Sequence, residues 1–243
     1  MKRIFIILII LAIATLSNAQ DPKEILKKID RNEVYDTIKY EGEMQITISG
    51  KKYVKSFYTY AKGSQNFFTE FTNPDDEGTK YLKKDGTLYV YSEDLEDVMP
   101  ITGHMLKESM MGSDLSYEDM TQNETLESQY DAKIVDDTTY EGKEVYVMEL
   151  TGKKKTVSYP KRKMWVEKTS NLVLKEELFA LSGAILKENI VKNWIKIKGR
   201  DFPTEIEMKD LLRKNSKTEF KMLNIELDIS IPDEMFSIQR LKR

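Results

Sequence analysis

The 243-residue chain contains no cysteine and a single histidine. Without cysteine, the chain has no disulfide, thiolate metal site, cysteine nucleophile or lipid-modified cysteine. The lone His104 excludes a multi-histidine metal site, and it stands in a methionine-rich stretch with no G-x-S-x-G nucleophile motif nearby. We therefore expect a surface or packing role for His104, and the sequence predicts no catalytic residue, no metal and no cofactor.

An excess of basic charge is also lacking. The chain has 38 Lys and Arg residues against 41 Asp and Glu residues, a formal charge of −3. This balance provides no general attraction to nucleic acid or to an anionic membrane. The acidic clusters, such as 75–77 and 136–137, fall between apolar runs, where Asp is a common turn former. Solvated turns are therefore a better interpretation of these clusters than catalytic or calcium-binding carboxylates.

Long apolar runs are confined to the N-terminus. Two basic residues and an apolar stretch ending at Leu16 precede small residues at 17–19. This order is typical of a secretory signal peptide cleaved before Gln20, and the stretch is short for a membrane anchor, which needs about 20 apolar residues. We predict a signal peptide at 1–19 and a single domain at 20–243. The lack of cysteine favours the bacterial periplasm as its location.

The remaining sequence predicts one helix followed by antiparallel strands. Asp21 and Pro22 are the residue types that begin a helix. After about residue 36 the apolar spacing changes to alternation, which is typical of half-buried strands. Turn signals such as Asp85-Gly86 recur at short intervals, with no alternation of strands and helices. The pattern predicts a mainly β fold of about ten to eleven strands, as a sandwich or barrel.

Residues 92–128 interrupt the strand pattern with acidic residues, methionines and small residues. We interpret 100–121 as a loop-and-helix insertion that lies over the sheet as a lid, with Gly103 and Gly112 as hinges. Three of its apolar side chains are expected to turn inward: Met105, Leu106 and Met110. The alternative is a fixed surface loop whose methionines fill the core.

Alternation also assigns one face of the sheet to an apolar concavity. The residues predicted to face this concavity are Met44, Ile46, Ile48, Phe67, Phe71, Val145, Val147, Ile206 and Met208. The assignment depends on strand register, because a slip of one residue reverses every side chain. If the helix and the insertion cover this face incompletely, it can bind an apolar ligand; an ordinary closed core is the alternative.

Three stretches of the chain carry a recognisable set of motifs. The first contains FTNP, EGTKYL and LYVY within 71–91. The second, MGSDLSYED at 111–119, is the most specific, and the third is IPDEMFS at 231–237. Together they resemble the outer-membrane lipoprotein-sorting proteins, the LolA-like family. Departures are Glu77, where the family often has lysine, Tyr89, where it often has tryptophan, and Glu167, where it often has aspartate.

The resemblance covers nearly the whole chain after the signal peptide. It implies an incomplete antiparallel β-barrel, closed by the N-terminal helix and a helical lid, with a cavity for acyl chains. It also implies a periplasmic carrier or chaperone without catalysis, which moves lipids or lipoproteins towards the outer membrane. The implied partners are lipoprotein acyl chains or lipids, an inner-membrane transporter and an outer-membrane acceptor; nucleic acid is not among them, and we expect a monomer. A second interpretation is a non-catalytic adaptor that binds an envelope transporter or membrane protein through the barrel rim.

Overall fold

The computed structural model describes residues 20–92, 96–121 and 124–243, so the predicted signal peptide lies outside the described residues. The strands are β1 Thr37–Ile48, β2 Lys51–Lys62, β3 Asn66–Phe71, β4 Lys80–Lys84, β5 Thr87–Tyr91, β6 Val98–Ile101, β7 Tyr130–Tyr140, β8 Lys143–Gly152, β9 Lys161–Glu167, β10 Val173–Phe179, β11 Ile185–Ile197, β12 Arg200–Asp210 and β13 Ser216–Leu227. The α-helices are α1 Pro22–Glu33, α2 Tyr117–Thr121, α3 Leu126–Gln129 and α4 Ile238–Leu241. Short 3₁₀ turns occur at Gly103–Lys107, Met110–Gly112 and Asp233–Phe236.

All 13 strands form one antiparallel sheet in the order β6-β5-β4-β3-β2-β1-β13-β12-β11-β10-β9-β8-β7. Sheet neighbours are consecutive in the chain except at the centre, where β1 pairs with β13. The edges are therefore β6 and β7, which do not pair with each other. The fold is mainly β with helices, as predicted, and the sheet is open.

The structure has more strands than the predicted ten to eleven, because β6 and β7 were not anticipated. β6 contains Pro100 and follows an acidic stretch, so its sequence resembles a loop. β7 is a largely exposed edge strand whose second half, from Asp136 onward, is polar on both faces. Neither strand has the apolar alternation that a half-buried strand shows. The predicted insertion consequently begins after Ile101, the last residue of β6.

Helix α1 forms where the sequence predicts it, because its ends are specified locally. The Asp21 carboxylate accepts a hydrogen bond from the Lys23 N–H at 2.9 Å, and Pro22 occupies the first turn. Ile25, Leu26 and Ile29 are buried on one stripe. They pack with β8 and β9 residues that include Met148, Leu150, Met164 and Val166. The helix therefore covers the β7–β9 part of one sheet face.

The opposite face carries the C-terminal segment. Phe68 and Leu82, on β3 and β4, are fully buried beneath Ile231, Phe236 and Leu241. This contact gives the IPDEMFS stretch a structural role, since it seals the outer face of the sheet beside β3. None of the helices in the described ranges is long and apolar enough to cross a membrane.

Candidate lipid-binding cavity

Seven of the nine predicted cavity residues share the inner face of the sheet. Four of them belong to one buried cluster: Met44, Ile46, Phe67 and Phe71. Ile48 is partly buried and packs against this cluster. Ile206 pairs with Phe220, which in turn pairs with Met44, and Met208 pairs with Thr218. Because directly paired residues of neighbouring strands lie on the same face, Ile206 and Met208 line the same side of the sheet, partly exposed.

The structure does not bring Val145 and Val147 to this face. In β8 it is Met148 and Leu150 that contact α1, and alternation then turns Val145 and Val147 to the outer face. Val145 packs there with Leu172 in a separate cluster. The physical reason is that β8 is apolar on both faces, so alternation alone does not select the inner one.

The predicted lid crosses the inner face opposite β1 to β5. Met110 is buried in the same cluster as Met44, and Met105 and Leu106 pack against that cluster partly exposed. Four lid side chains beyond the three expected to turn inward also pack there: Met111, Leu115, Tyr117 and Met120. The inward orientation of the lid is therefore as expected, but more of the segment takes part.

A cavity of about 180 Å³ lies between the lid and the sheet. Its lining contains the predicted Phe67, Phe71 and Met110. The lining residues that were not predicted are Tyr35, Tyr40, Phe57, Thr59, Ala61, Thr69, Leu115, Asp119, Met120 and Phe220. Apolar and aromatic side chains dominate this lining, as in sites for small apolar ligands.

The aromatic wall of the cavity depends on a glycine. The Phe57 ring packs against Phe71, with ring centroids 5.2 Å apart, and against Phe220 at 5.9 Å. It also covers Gly42, where a Cβ would lie 2.2 Å from the ring. Only glycine therefore allows Phe57 to lie flat on β1. Burial raises the pKa of the neighbouring Tyr40 above its usual range.

Asp114 of the GSD sequence fixes the lid to the end of the sheet. Its side chain is fully buried and accepts hydrogen bonds from the Thr218 hydroxyl at 2.7 Å, the Ser216 hydroxyl at 2.9 Å and the Asp210 N–H at 3.1 Å. The Asp114 N–H donates to the Thr218 hydroxyl oxygen at 2.9 Å. Asp114 therefore joins the lid to the β12–β13 hairpin.

The Ser116 and Asp119 pair provides the helix cap. Asp119 accepts from the Ser116 N–H at 2.7 Å, and the Ser116 hydroxyl accepts from the Asp119 N–H at 3.3 Å. Asp119 also pairs with the buried Lys187 and accepts from the Tyr159 hydroxyl at 2.6 Å. Burial acts to raise the pKa of Asp119, but Lys187, Tyr159 and Ser116 together hold it below its usual range. A second charged contact therefore holds α2 against the sheet.

A wider opening of about 520 Å³ lies at the C-terminal end of α1. Tyr35 borders both this opening and the inner cavity, so the two spaces adjoin. The opening is polar, with Glu33 and Arg162 among its lining residues. Arg162 pairs with Glu176 at 3.0 Å on the inner face. Within the described part of the chain, no group of three His, Asp or Glu residues could hold a metal ion.

The lid and the sheet enclose less space than a ligand needs. Sites for drug-sized molecules have about 300–1,000 Å³. The inner cavity, at about 180 Å³, is smaller than this range. The inner cavity alone is therefore too small for an acyl chain, and the lid or its side chains would have to move apart to enlarge it.

Comparison with known proteins identifies the fold and the family. A family profile described as an uncharacterized protein matches residues 63–243. The chain belongs to this family. No curated protein sequence matches the chain.

Three solved structures share the architecture. A DUF1329 family protein from Desulfovibrio piger is 26% identical, with a TM-score of 0.82, over 91% of this chain and 100% of that one. A putative outer membrane lipoprotein-sorting protein domain from Vibrio parahaemolyticus is 20% identical, with a TM-score of 0.80, over 91% and 98%. A LolA superfamily protein from Nitrosomonas europaea is 21% identical, with a TM-score of 0.76, over 91% and 100%. The resemblance to the LolA-like proteins is thereby confirmed, and the chain has the LolA-like fold.

Proposed function

We propose that this protein is a periplasmic carrier that binds the acyl chains of lipids or lipoproteins between its sheet and its lid. The observation that carries the proposal is the apolar cavity between the sheet and the lid, whose inward side chains pack on the sheet and whose Asp114 and Asp119 anchor it by polar contacts. The sequence predicts no nucleophile paired with a base, and the role we propose is binding without catalysis.

The energetics favour acyl chains as cargo. Each buried CH₂ group contributes about 0.8 kcal/mol, so an apolar cavity binds such chains without specific polar contacts. Separating the lid from Met44, Phe67 and Phe71 would join their surfaces to the partly exposed Ile206 and Met208. An opened lid would thus extend the cavity along the inner face.

The comparisons support the proposal at the level of fold. One similar structure is described as a putative lipoprotein-sorting domain and another as a LolA superfamily protein. Export through the predicted signal peptide, an inner-membrane transporter as donor and an outer-membrane acceptor belong to the same proposal.

A reversible lock on the lid tests the proposal. The Thr218 hydroxyl lies 2.9 Å from the Asp114 N–H and 2.7 Å from the Asp114 carboxylate, so these two adjacent side chains are the sites chosen for an engineered disulfide. The chain has no cysteine of its own, so within one molecule the double variant Asp114→Cys/Thr218→Cys can form only this bond. Uptake of a long-chain fluorescent fatty acid is measured in the oxidised and the reduced forms of the same variant.

We expect the oxidised form to take up no probe and the reduced form to take it up faster than the wild type, because it lacks both the lock and the Asp114 contacts. A Ser-substituted double variant, Asp114→Ser/Thr218→Ser, controls for the reducing agent. Equal uptake by the oxidised and reduced forms would show that the lid does not control the cavity. No uptake by either form or by the wild type would overturn the carrier function itself.

A further inference from the structure

Four turns meet at the end of the sheet where Asp114 anchors the lid. They are the β1–β2 turn at 49–50, the β8–β9 connection at 153–160, the β10–β11 turn at 180–184 and the β12–β13 turn at 211–215. Strand pairing places them together, since Ile48 pairs with Ser216, Lys187 with Asp210, and Phe179 with Lys161. We call these turns, with the strand residues that flank them, the basic rim.

The basic rim exposes large apolar side chains at its tips. Leu181 is 81% exposed, Leu212 is 73% exposed and Leu211 is 49% exposed. Ile185 and Tyr53 are also exposed beside these turns. The Leu211 N–H donates to the Leu186 carbonyl oxygen, so the two leucine-bearing turns are neighbours. Exposed apolar residues gathered in one place indicate an interaction surface.

The formal charge of the four turns is basic, although the Asp210 carboxylate lies at the start of the β12–β13 turn, where it accepts a hydrogen bond from the Leu212 N–H at 2.9 Å. The segments 49–54, 153–161, 180–186 and 211–215 contain no acidic residue. Their eight basic residues are Lys51, Lys52, Lys153, Lys154, Lys155, Lys161, Arg213 and Lys214. The chain as a whole has an acidic excess, so basic charge is concentrated here. The acidic loop that contains Asp75 and Glu77 lies at the same end but beyond β2, which limits the basic rim on that side.

We propose that the basic rim docks on the surface of an anionic lipid bilayer. Exposed leucines beside lysine and arginine match the interface of such a membrane, where apolar side chains enter the headgroup layer and basic ones bind lipid phosphates. The net charge of the chain did not indicate membrane docking, because the acidic residues elsewhere in the chain outweigh the basic residues of the rim. Docking needs no cargo, so the proposal stands apart from the carrier function.

The rim is continuous with the lid anchor. The Arg213 guanidinium donates to the carbonyl oxygens of Gly112 and Ser113, and Ser216 and Thr218 hold Asp114 just beyond the β12–β13 turn. A membrane bound at the leucines would therefore lie next to the lid anchor. Lipid phosphates can compete for Arg213, which links docking to release of the lid.

Vesicle flotation with the full mature chain tests the proposal. The probes are vesicles of phosphatidylcholine alone and vesicles that also contain phosphatidylglycerol. The test variants are Leu181→Ser/Leu212→Ser and Lys51→Glu/Lys52→Glu, none of which touches the lid contacts. The matched controls are Leu223→Ser, at a mid-strand leucine that is 50% exposed, and Lys39→Glu, on the outer face of β1.

We expect the wild type to bind the anionic vesicles and not the neutral ones. Loss of one basic contact should weaken binding about fivefold, so the charge-reversed pair should lose at least about 25-fold. The leucine pair should also lose binding, the controls should keep it, and a Leu212→Trp reporter should show a blue-shifted emission with anionic vesicles only. Absent or equal binding to both vesicle types would overturn the proposal, as would equal losses in the controls. Binding only to vesicles that carry envelope membrane proteins would overturn it in favour of a protein receptor.

Discussion

Replacing Asp114 with alanine should release the lid without unfolding the sheet. The buried carboxylate accepts three hydrogen bonds, from Thr218, Ser216 and the Asp210 N–H. Hydrogen bonds to a charged group contribute about 1.5–3 kcal/mol each. The two hydroxyl groups can find other partners in part, so we count two of the three bonds as lost, or roughly 3–6 kcal/mol. Since 1.4 kcal/mol is about a factor of ten, lid opening should rise at least about 100-fold.

Hydrogen exchange measured peptide by peptide is the assay for this prediction. Protection should fall by that factor in residues 102–121 of Asp114→Ala, while α1 and the β8–β9 strands keep the protection of the wild type. Asp75→Ala, at an exposed aspartate in the loop after β3, is the matched control. A loss of protection spread evenly over the whole sheet would refute the reasoning, because Asp114 would then support the fold rather than the lid.

Three further substitutions test the packing of the same structure. Lys187→Met should destabilise the protein by up to about 3 kcal/mol at neutral pH, because it leaves the partly buried Asp119 charge without its cation. Because the pKa of Asp119 is lowered in the folded protein, its charge stabilises the fold above about pH 4, and this stabilisation is lost as the pH falls through the lowered pKa. In urea unfolding, the difference in unfolding free energy between Lys187→Met and the wild type should therefore shrink in acid; a difference that widens would contradict the pairing. Gly42→Ala should cost about 1–3 kcal/mol in the same assay because its Cβ would meet the Phe57 ring, and an unchanged midpoint would contradict that contact. Phe68→Ala should cost about 3–5 kcal/mol and loosen the C-terminal segment, which limited proteolysis would detect; resistance equal to the wild type would count against the packing described.

The parts of the fold that the sequence predicted are those with a strong local signal. Helix α1 has its cap and stripe within a few residues of each other, and the Asp85-Gly86 hairpin joins β4 to β5 as expected. The edge strands β6 and β7 have no such signal. Pro100 interrupts the first, and polar residues on both faces dominate the second half of the other. A strand that buries little has little apolar pattern to detect.

The cavity was predicted in part for a similar reason. Met44 and Ile46 alternate with polar neighbours, so the alternation predicted correctly that they face inward. β8 is apolar on both faces, so alternation did not distinguish them, and the prediction placed Val145 and Val147 on the wrong face. The partners of Asp114 are 96 to 104 residues away in the chain, and no local pattern indicates them. Gly42 in the interior of β1 was a signal that could have located the aromatic wall, since an interior glycine often marks close packing.

Native mass spectrometry of the chain purified from a bacterial envelope without detergent tests the carrier function most directly. The account predicts bound lipid or acylated peptide on the wild type and its loss in Ala61→Phe, which fills the cavity. Thr138→Phe, on the exposed edge strand β7, should keep the bound compound. A wild-type chain that carries no acyl compound and takes none up from added lipid would contradict the account, as would an Ala61→Phe chain that is folded and still fully loaded.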